Sequence, residues 1–176
     1  MPATHIALLR GINVGKAKRI AMAELKAVVE SLGCTGVKTL LNSGNVVFTT
    51  KRAVTGATLQ KAILSGTGVD AKTTVLSVTE FRTVMRENPL LGIAHDPTRL
   101  FAYVPYDTSM LPKLAALQAS SWAPESLAIG SLAAYVWSPD GLLAGKLFEH
   151  INKLVRDNVT ARNWATMLKI EALLSY

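Results

Sequence analysis

The residues best suited to chemistry are the cations and glycines of one short segment near the start of the chain. An apolar stretch at residues 6–9 leads into Arg10-Gly11-Ile12-Asn13-Val14-Gly15-Lys16-Ala17-Lys18-Arg19. Glycines let the backbone turn so that N–H groups point to one place, and cationic side chains add positive charge there. The segment therefore predicts a site for an anion such as a phosphate group, with candidate residues Arg10, Gly11, Asn13, Gly15, Lys16, Lys18 and Arg19.

The spacing within this basic loop excludes two common nucleotide-binding motifs. Gly-x-x-x-Gly-Lys is followed by Ala17, so the hydroxyl that holds Mg²⁺ in a P-loop is missing, and no Gly-x-Gly-x-x-Gly is present. Two interpretations remain. The loop is either a looser anion cradle or a solvated basic loop whose glycines only permit the turn.

The charge of the chain is unevenly distributed. Its formal net charge is +7, and residues 1–52 contain eight Lys/Arg and two Asp/Glu, which leaves +1 for the remainder. Such a concentration favours a phosphorylated small molecule or a nucleic acid as partner. The first predicted strand has no aromatic residue on which a base could stack, so we expect contacts with the phosphate backbone rather than with bases.

A second group of candidate residues lies in the C-terminal half. Arg162-Asn163-Trp164 is predicted to form the first turn of a helix capped by Thr160, with Trp164 as a core anchor. Arg162 and Asn163 either reach a phosphate at the helix N-terminus or bond loop carbonyls. An alternative function follows: an enzyme that binds a small anionic substrate between the two halves through Arg10, Asn13, Lys146, Arg162 and Asn163.

No catalytic, metal or cofactor site can be assigned from the residues. The three histidines are far apart, the carboxylates are scattered, and Cys34 is the single cysteine, so no zinc site and no intramolecular disulfide is expected. Whether the protein is an enzyme stays open. The sequence shows neither a secretory leader pattern nor an apolar run long enough for a membrane span, and the expected location is the cytoplasm.

The elements that position these residues form two predicted halves. Residues 1–79 give the order β-α-β-β-α-β: strands near 4–10, 37–41, 46–50 and 73–78, and helices near 21–32 and 55–64. This order is typical of the ferredoxin-like plait, an α+β fold. We expect its first and third strands to be parallel, and the basic loop and the 42–45 hairpin to lie at opposite ends of the sheet.

Residues 80–176 are predicted to form a second, related α+β half packed against the first. Its helices are expected near 77–87, 109–118 and 146–156 and after Thr160, and its strands near 100–104, 127–129 and 133–137. The oligomeric state is not determined by the sequence. A third functional alternative is therefore a module for self-association or protein interaction through an edge of a sheet.

Several longer motifs resemble a known family. They are Ile6-Ala7-Leu8-Leu9-Arg10-Gly11-Ile12-Asn13-Val14-Gly15, Met22-x-x-Leu25, Ser43-Gly44-Asn45-Val46-Val47-Phe48, Asn88-Pro89, Lys146-Leu147 and Thr160-x-Arg162-Asn163-Trp164-x-Thr166-x-Leu168-Lys169. Together they are similar to the domain of unknown function 1697 family of small, uncharacterised bacterial proteins. The resemblance implies a cytosolic α+β protein of ferredoxin-like architecture and implies no activity.

This chain departs from the family pattern at three places. Lys16 stands where members often have glycine, Asn42 where glutamine is common, and Ala144-Gly145 where Arg-Ser is usual. If the Arg-Ser pair binds an anion in other members, this chain lacks the side chains that do so.

Overall fold

The structure is a computed structural model that describes residues 1–174 and divides the chain into two units. The first unit comprises Met1–Phe81 and the C-terminal residues from Ile170, and the second comprises Arg82–Lys169. Within residues 1–174 no helix combines the length and the apolar character needed to cross a membrane.

The first unit contains a four-stranded antiparallel sheet with two helices. Its elements in chain order are β1 (Ala3–Leu9), α1 (Met22–Ser31), β2 (Thr35–Leu40), β3 (Asn45–Thr50), α2 (Gly56–Thr67) and β4 (Thr73–Ser77). The strand order in the sheet is β2-β3-β1-β4. Every predicted element of this unit is confirmed to within a few residues.

The direction of the strands corrects one expectation. β1 runs antiparallel to both of its neighbours, β3 and β4, so the predicted parallel pairing of the first and third strands is wrong. Helix α1 returns the chain so that β2 runs in the same direction as β1, and the following hairpin reverses β3 against β2. β1 and β2 therefore both finish at the same end of the sheet.

The core of the first unit lies between the two helices and one face of the sheet. Alternate strand residues such as Ala7, Leu9 and Phe48 are buried there with Leu25 of α1 and Leu59 of α2. This alternation follows from the two-residue period of a strand, which places every second side chain on the same face.

Helix α2 is fixed at its start by a cap and by a close backbone contact. The Thr55 side-chain oxygen accepts a hydrogen bond from the Thr58 N–H at 3.1 Å. At Gly56 an added Cβ would overlap the carbonyl oxygen of Thr73, so only glycine lets the helix begin this close to β4.

The second unit repeats the order of strands seen in the first. Its elements in chain order are β5 (Leu100–Pro105), α4 (Leu111–Ala115), β6 (Ser126–Ile129), β7 (Ala134–Trp137), α5 (Leu147–Val155) and β8 (Val159–Asn163). The four strands form an antiparallel sheet with the order β6-β7-β5-β8. Helix α3 (Val78–Arg86) precedes this series and α6 (Trp164–Leu173) follows it. The chain is thus a mixed α/β protein with two four-stranded antiparallel sheets.

The start of the last helix differs from the expectation. Thr160 does not cap a helix, because it lies within β8 and pairs with Val104 of β5. Helix α6 begins at Trp164, and the Asn163 side-chain oxygen accepts a hydrogen bond from the Thr166 N–H at 2.9 Å. The pairing of β8 with β5 outweighs the local tendency of threonine to cap a helix.

Candidate anion-binding site

Three loops meet at one end of the first sheet: residues 10–21, 41–44 and 68–72, which together we call the loop end. The Leu9 N–H donates to the Gly44 carbonyl at 2.9 Å, and the Arg10 N–H donates to the Lys72 carbonyl at 2.8 Å. The expectation that the basic loop and the hairpin lie at opposite ends is therefore wrong. They meet because β1 and β2 run in the same direction and end together.

Asn13 holds the basic loop in shape and joins it to the hairpin. Its amide oxygen accepts from the Ile20 N–H at 2.9 Å, and its amide nitrogen donates to the carbonyls of Ile20 at 2.9 Å and Asn42 at 2.8 Å. Its backbone is left-handed, with φ of 54°, which asparagine tolerates better than most residues. Through these bonds to backbone groups the Asn13 side chain positions the loop.

Lys18 connects the basic loop to the loop that precedes β4. Its Nζ donates to the backbone carbonyl of Asp70 at 3.0 Å. The Asp70 carboxylate in turn accepts a hydrogen bond from Gln60 Nε2 at 2.6 Å. Lys18 therefore has a structural contact of its own, although its side chain is exposed.

Lys16 and Arg19 differ from Lys18 in having no protein partner for their side chains. Both residues are exposed, and neither makes a side-chain hydrogen bond or ion pair within residues 1–174. Arg10 and Lys72 are half-buried at the same end. The loop end therefore carries five cations and one loop carboxylate, that of Asp70.

Sequence reasoning missed Lys72 and Asp70. They follow α2 and precede β4, so they lie far from the basic loop in sequence. The strand directions contain the signal that could have found them, because a strand antiparallel to β1 must begin where β1 ends.

The glycines of the loop end serve different purposes. Gly11 and Gly15 have φ of 67° and 63°, and a Cβ added at either would meet nothing within 4 Å. Gly44 has φ of 83°, and its Cβ would lie 2.8 Å from side-chain atoms of Ile12 and Leu9. Gly44 thus allows the hairpin to pack on the basic loop, whereas at Gly11 and Gly15 the left-handed backbone rather than close packing favours glycine.

The N-terminus of α1 already has an anionic group near it. The Glu24 carboxylate accepts a hydrogen bond from the Ala21 N–H at 3.3 Å. A carboxylate at this position interacts favourably with the helix dipole and competes with a bound anion. The positive charge of the loop end therefore resides mainly in its lysine and arginine side chains.

Three of the four secondary candidates, Arg162, Asn163 and Trp164, have side-chain contacts within the second unit. Arg162 is buried in β8, its Nη1 donates to Thr160 Oγ1 and to the Ala161 carbonyl at 2.9 Å each, and burial lowers its pKa to about 10. Asn163 caps α6, and Trp164 is buried with its ring 6.4 Å from that of Tyr135. Lys146 is exposed at the start of α5.

Metal and thiol chemistry find little support in the described part of the chain. Among residues 1–174 no group of three His, Cys, Asp or Glu side chains is arranged to hold a metal ion. Cys34 is buried, and this burial raises the pKa of its thiol. A raised pKa keeps the thiol protonated and therefore weakly nucleophilic.

Comparison with known proteins gives a family match and a structural match. The model of the family described as "Protein of unknown function (DUF1697)" matches residues 3–135. A solved structure of the conserved bacterial protein SP0830 from Streptococcus pneumoniae is similar at a TM-score of 0.78 and 23% identity, with 99% of each chain covered. No curated protein matches the chain. At this identity the structural match shows the fold alone.

Proposed function

The chain belongs to the DUF1697 family of proteins of unknown function, and we propose that it binds phosphate groups, those of a nucleic-acid backbone or of a phosphorylated small molecule. The observation that carries this proposal is the meeting of Arg10, Lys16, Lys18, Arg19 and Lys72 at the loop end against a single loop carboxylate. We also interpret each of the two sheets as a ferredoxin-like plait, because the element order and strand order are those of that fold.

The fixed conformation of the loops at the loop end supports the binding of phosphate groups. The hydrogen bonds of Asn13 and Lys18 join the basic loop to the two neighbouring loops, so the segments that carry the cations are fixed relative to each other. A polyanion that binds there gains free energy by releasing its condensed counterions. Exposed Lys16 and Arg19 lose little hydration on contact, so they are the residues from which we expect direct phosphate contacts.

The expected location follows from the ligand class. Nucleic acids and phosphorylated metabolites are abundant in the cytoplasm, and a single cysteine gives no need for an oxidising compartment. A cytoplasmic location is therefore part of this proposal.

The proposal is tested with a double variant and a control of equal charge. K16A/R19A removes the two cations that lack a protein partner and leaves the contacts of Asn13 and Lys18 intact. K51A/R52A removes two exposed cations that follow β3, at the opposite end of the sheet from the hairpin. The affinity for a labelled single-stranded oligonucleotide is measured by fluorescence anisotropy over a range of salt, with ATP and inorganic phosphate as competitors.

Loss of two phosphate contacts should lower the slope of log affinity against log salt by about 1.4, since each single-strand contact contributes about 0.7. K51A/R52A should change the slope much less. Competition by ATP but not by phosphate would indicate a phosphorylated small molecule, whereas a preference for the oligonucleotide would indicate the backbone. The proposal fails if the wild-type protein does not bind at low salt, or if both double variants weaken binding equally.

A further inference from the structure

A cavity of about 340 Å³ lies within the second unit, between the loop before β6 and the loop before α5. Four of its lining residues have side chains that recognise ligands: Trp122, Glu125, Asp140 and Lys146. A volume of this size is at the lower end of the range for small-molecule sites. The cavity is therefore suited to a small, charged molecule.

Glu125 is a buried carboxylate without a basic partner. The residue is 8% exposed, its Oε1 accepts from Ser138 Oγ at 2.9 Å, and its Oε2 accepts from the Leu147 N–H of α5 at 3.1 Å. Within residues 1–174 no Lys, Arg or His nitrogen lies within 4.0 Å of it. Buried carboxylates are usually paired with a cation, whereas the two groups that donate to Glu125 are neutral.

The surroundings of Glu125 are closely packed. Burial, and after it the charge of Glu125, raises the pKa of Tyr103, whose buried hydroxyl has no hydrogen-bond partner within residues 1–174. At Gly145 an added Cβ would overlap the Glu125 carboxylate, so the backbone of the cavity wall lies directly against it. Glu125 is thus closely enclosed by the loop before α5.

The other two charged residues of the cavity also lack ion pairs. Asp140 and Lys146 are exposed and form no salt bridge with the described residues. The cavity therefore presents two carboxylates, one ammonium group and an aromatic ring. We propose that it binds a small zwitterion of the amino-acid type, with the ammonium group at Glu125 and Asp140 and the carboxylate at Lys146.

The apolar part of such a ligand would pack on the ring of Trp122, which is half-buried and whose Nε1 already donates to the Leu117 carbonyl. This inference does not depend on phosphate binding at the loop end.

Three probes separate the two charged contacts: L-leucine, L-leucinamide, which lacks the carboxylate, and N-acetyl-L-leucine, which lacks the ammonium group. Binding to the full chain is measured by isothermal titration calorimetry and by tryptophan fluorescence. Trp122 is the half-buried tryptophan, whereas Trp137 and Trp164 are buried. L-Leucine should bind, and each of the other probes should bind at least about tenfold more weakly, because each loses a charge-assisted contact.

Variants assign the contacts to residues. E125Q keeps an oxygen that can accept from the Leu147 N–H but removes the charge, and it should weaken L-leucine binding by about tenfold or more. K146Q should weaken L-leucine binding while leaving the affinity for L-leucinamide unchanged. K113Q, an exposed lysine of α4, is the control and should have no effect.

Thermal unfolding of each variant establishes that it is folded. If E125Q does not fold, D140N replaces it, because Asp140 is exposed and has no side-chain bond to lose, and it should weaken both L-leucine and L-leucinamide. The proposal is overturned if the wild-type protein binds none of the three probes, or if folded E125Q or D140N binds L-leucine as the wild type does. It is also overturned if K113Q and K146Q have equal effects.

Discussion

Replacement of Asn13 by alanine tests whether the loop end is held together as its geometry indicates. The Asn13 side chain makes three hydrogen bonds, two to Ile20 and one to Asn42, and its backbone has φ of 54°. N13A removes all three bonds and places an alanine in the left-handed region. N13G removes the same bonds but suits that region without strain.

The expected loss of stability follows from these two contributions. Each hydrogen bond contributes about 1 kcal/mol net, so loss of the three bonds should cost about 2–3 kcal/mol where water replaces part of them. Left-handed strain at alanine costs about 1–2 kcal/mol, and the smaller freedom of its unfolded chain returns about 0.4–1 kcal/mol. N13A should therefore be less stable than the wild type by about 3–5 kcal/mol. Because the gain from the unfolded chain applies only in comparison with glycine, N13A should be less stable than N13G by up to about 1.6 kcal/mol.

The free energy of unfolding is measured by urea titration followed by far-UV circular dichroism. Tryptophan fluorescence is unsuited to this question because Trp122, Trp137 and Trp164 all lie in the second unit. Amide hydrogen exchange at Ile20 and Asn42 gives a local readout. A loss below about 0.5 kcal/mol in N13A, or an N13A variant more stable than N13G, would refute the assigned role of Asn13.

Three further changes have defined outcomes. G44A should lower the melting temperature far more than G15A, because a Cβ at Gly44 meets side chains at 2.8 Å whereas one at Gly15 meets nothing within 4 Å; equal losses would contradict the packing. Hydrogen bonds from the backbone and side chain of Ser131 lower the pKa of Glu87 in the folded protein. The ionised Glu87 therefore stabilises the fold at pH values above the pKa it has in the unfolded chain, and this stabilisation is lost as the pH falls through its pKa in the folded protein. S131A keeps the backbone donor and should raise the Glu87 pKa only partway in an NMR titration; no change would exclude the side-chain bond. N163A should cost about 1 kcal/mol in urea unfolding through loss of the α6 cap, and a neutral result would show that the cap is not needed.

Local signals predicted the elements of the first unit well. Thr55 and Gly68 bound α2 as a cap and a left-handed stop, and the apolar spacing of α1 matches the face that is buried. At α3, where a helix is predicted near 77–87, the Ser77 side chain accepts from the Glu80 N–H while the Glu80 carboxylate accepts from the Ser77 N–H, which forms a capping box. In these cases the interacting residues are at most four positions apart, so a short stretch of sequence is enough to predict the element.

Interactions between distant segments were the ones that sequence reasoning missed. Threonine is a favoured residue type for a helix N-cap, yet the pairing of Thr160 with Val104 in β5 places it in a strand. Likewise, the basic loop and the hairpin were expected at opposite ends of the sheet because the strand directions were assigned wrongly. The same error hid Lys72, which precedes a strand that runs antiparallel to β1. Both errors concern the pairing of strands, which depends on segments dozens of residues apart.

The candidate site shows why residue type alone is a weak guide to function. Asn13, Lys16, Lys18 and Arg19 look equivalent in the sequence, as polar or basic residues of one glycine-containing loop. In the structure Asn13 and Lys18 bond to backbone groups of neighbouring segments, whereas Lys16 and Arg19 are exposed and make no side-chain bond within residues 1–174. Substitution of Asn13 or Lys18 should therefore lower the stability of the protein first and affect binding only as a consequence. Substitution of Lys16 or Arg19 should change binding alone. This difference, measured on the same preparations, distinguishes a site held in place for a negative partner from a basic loop that is merely solvated.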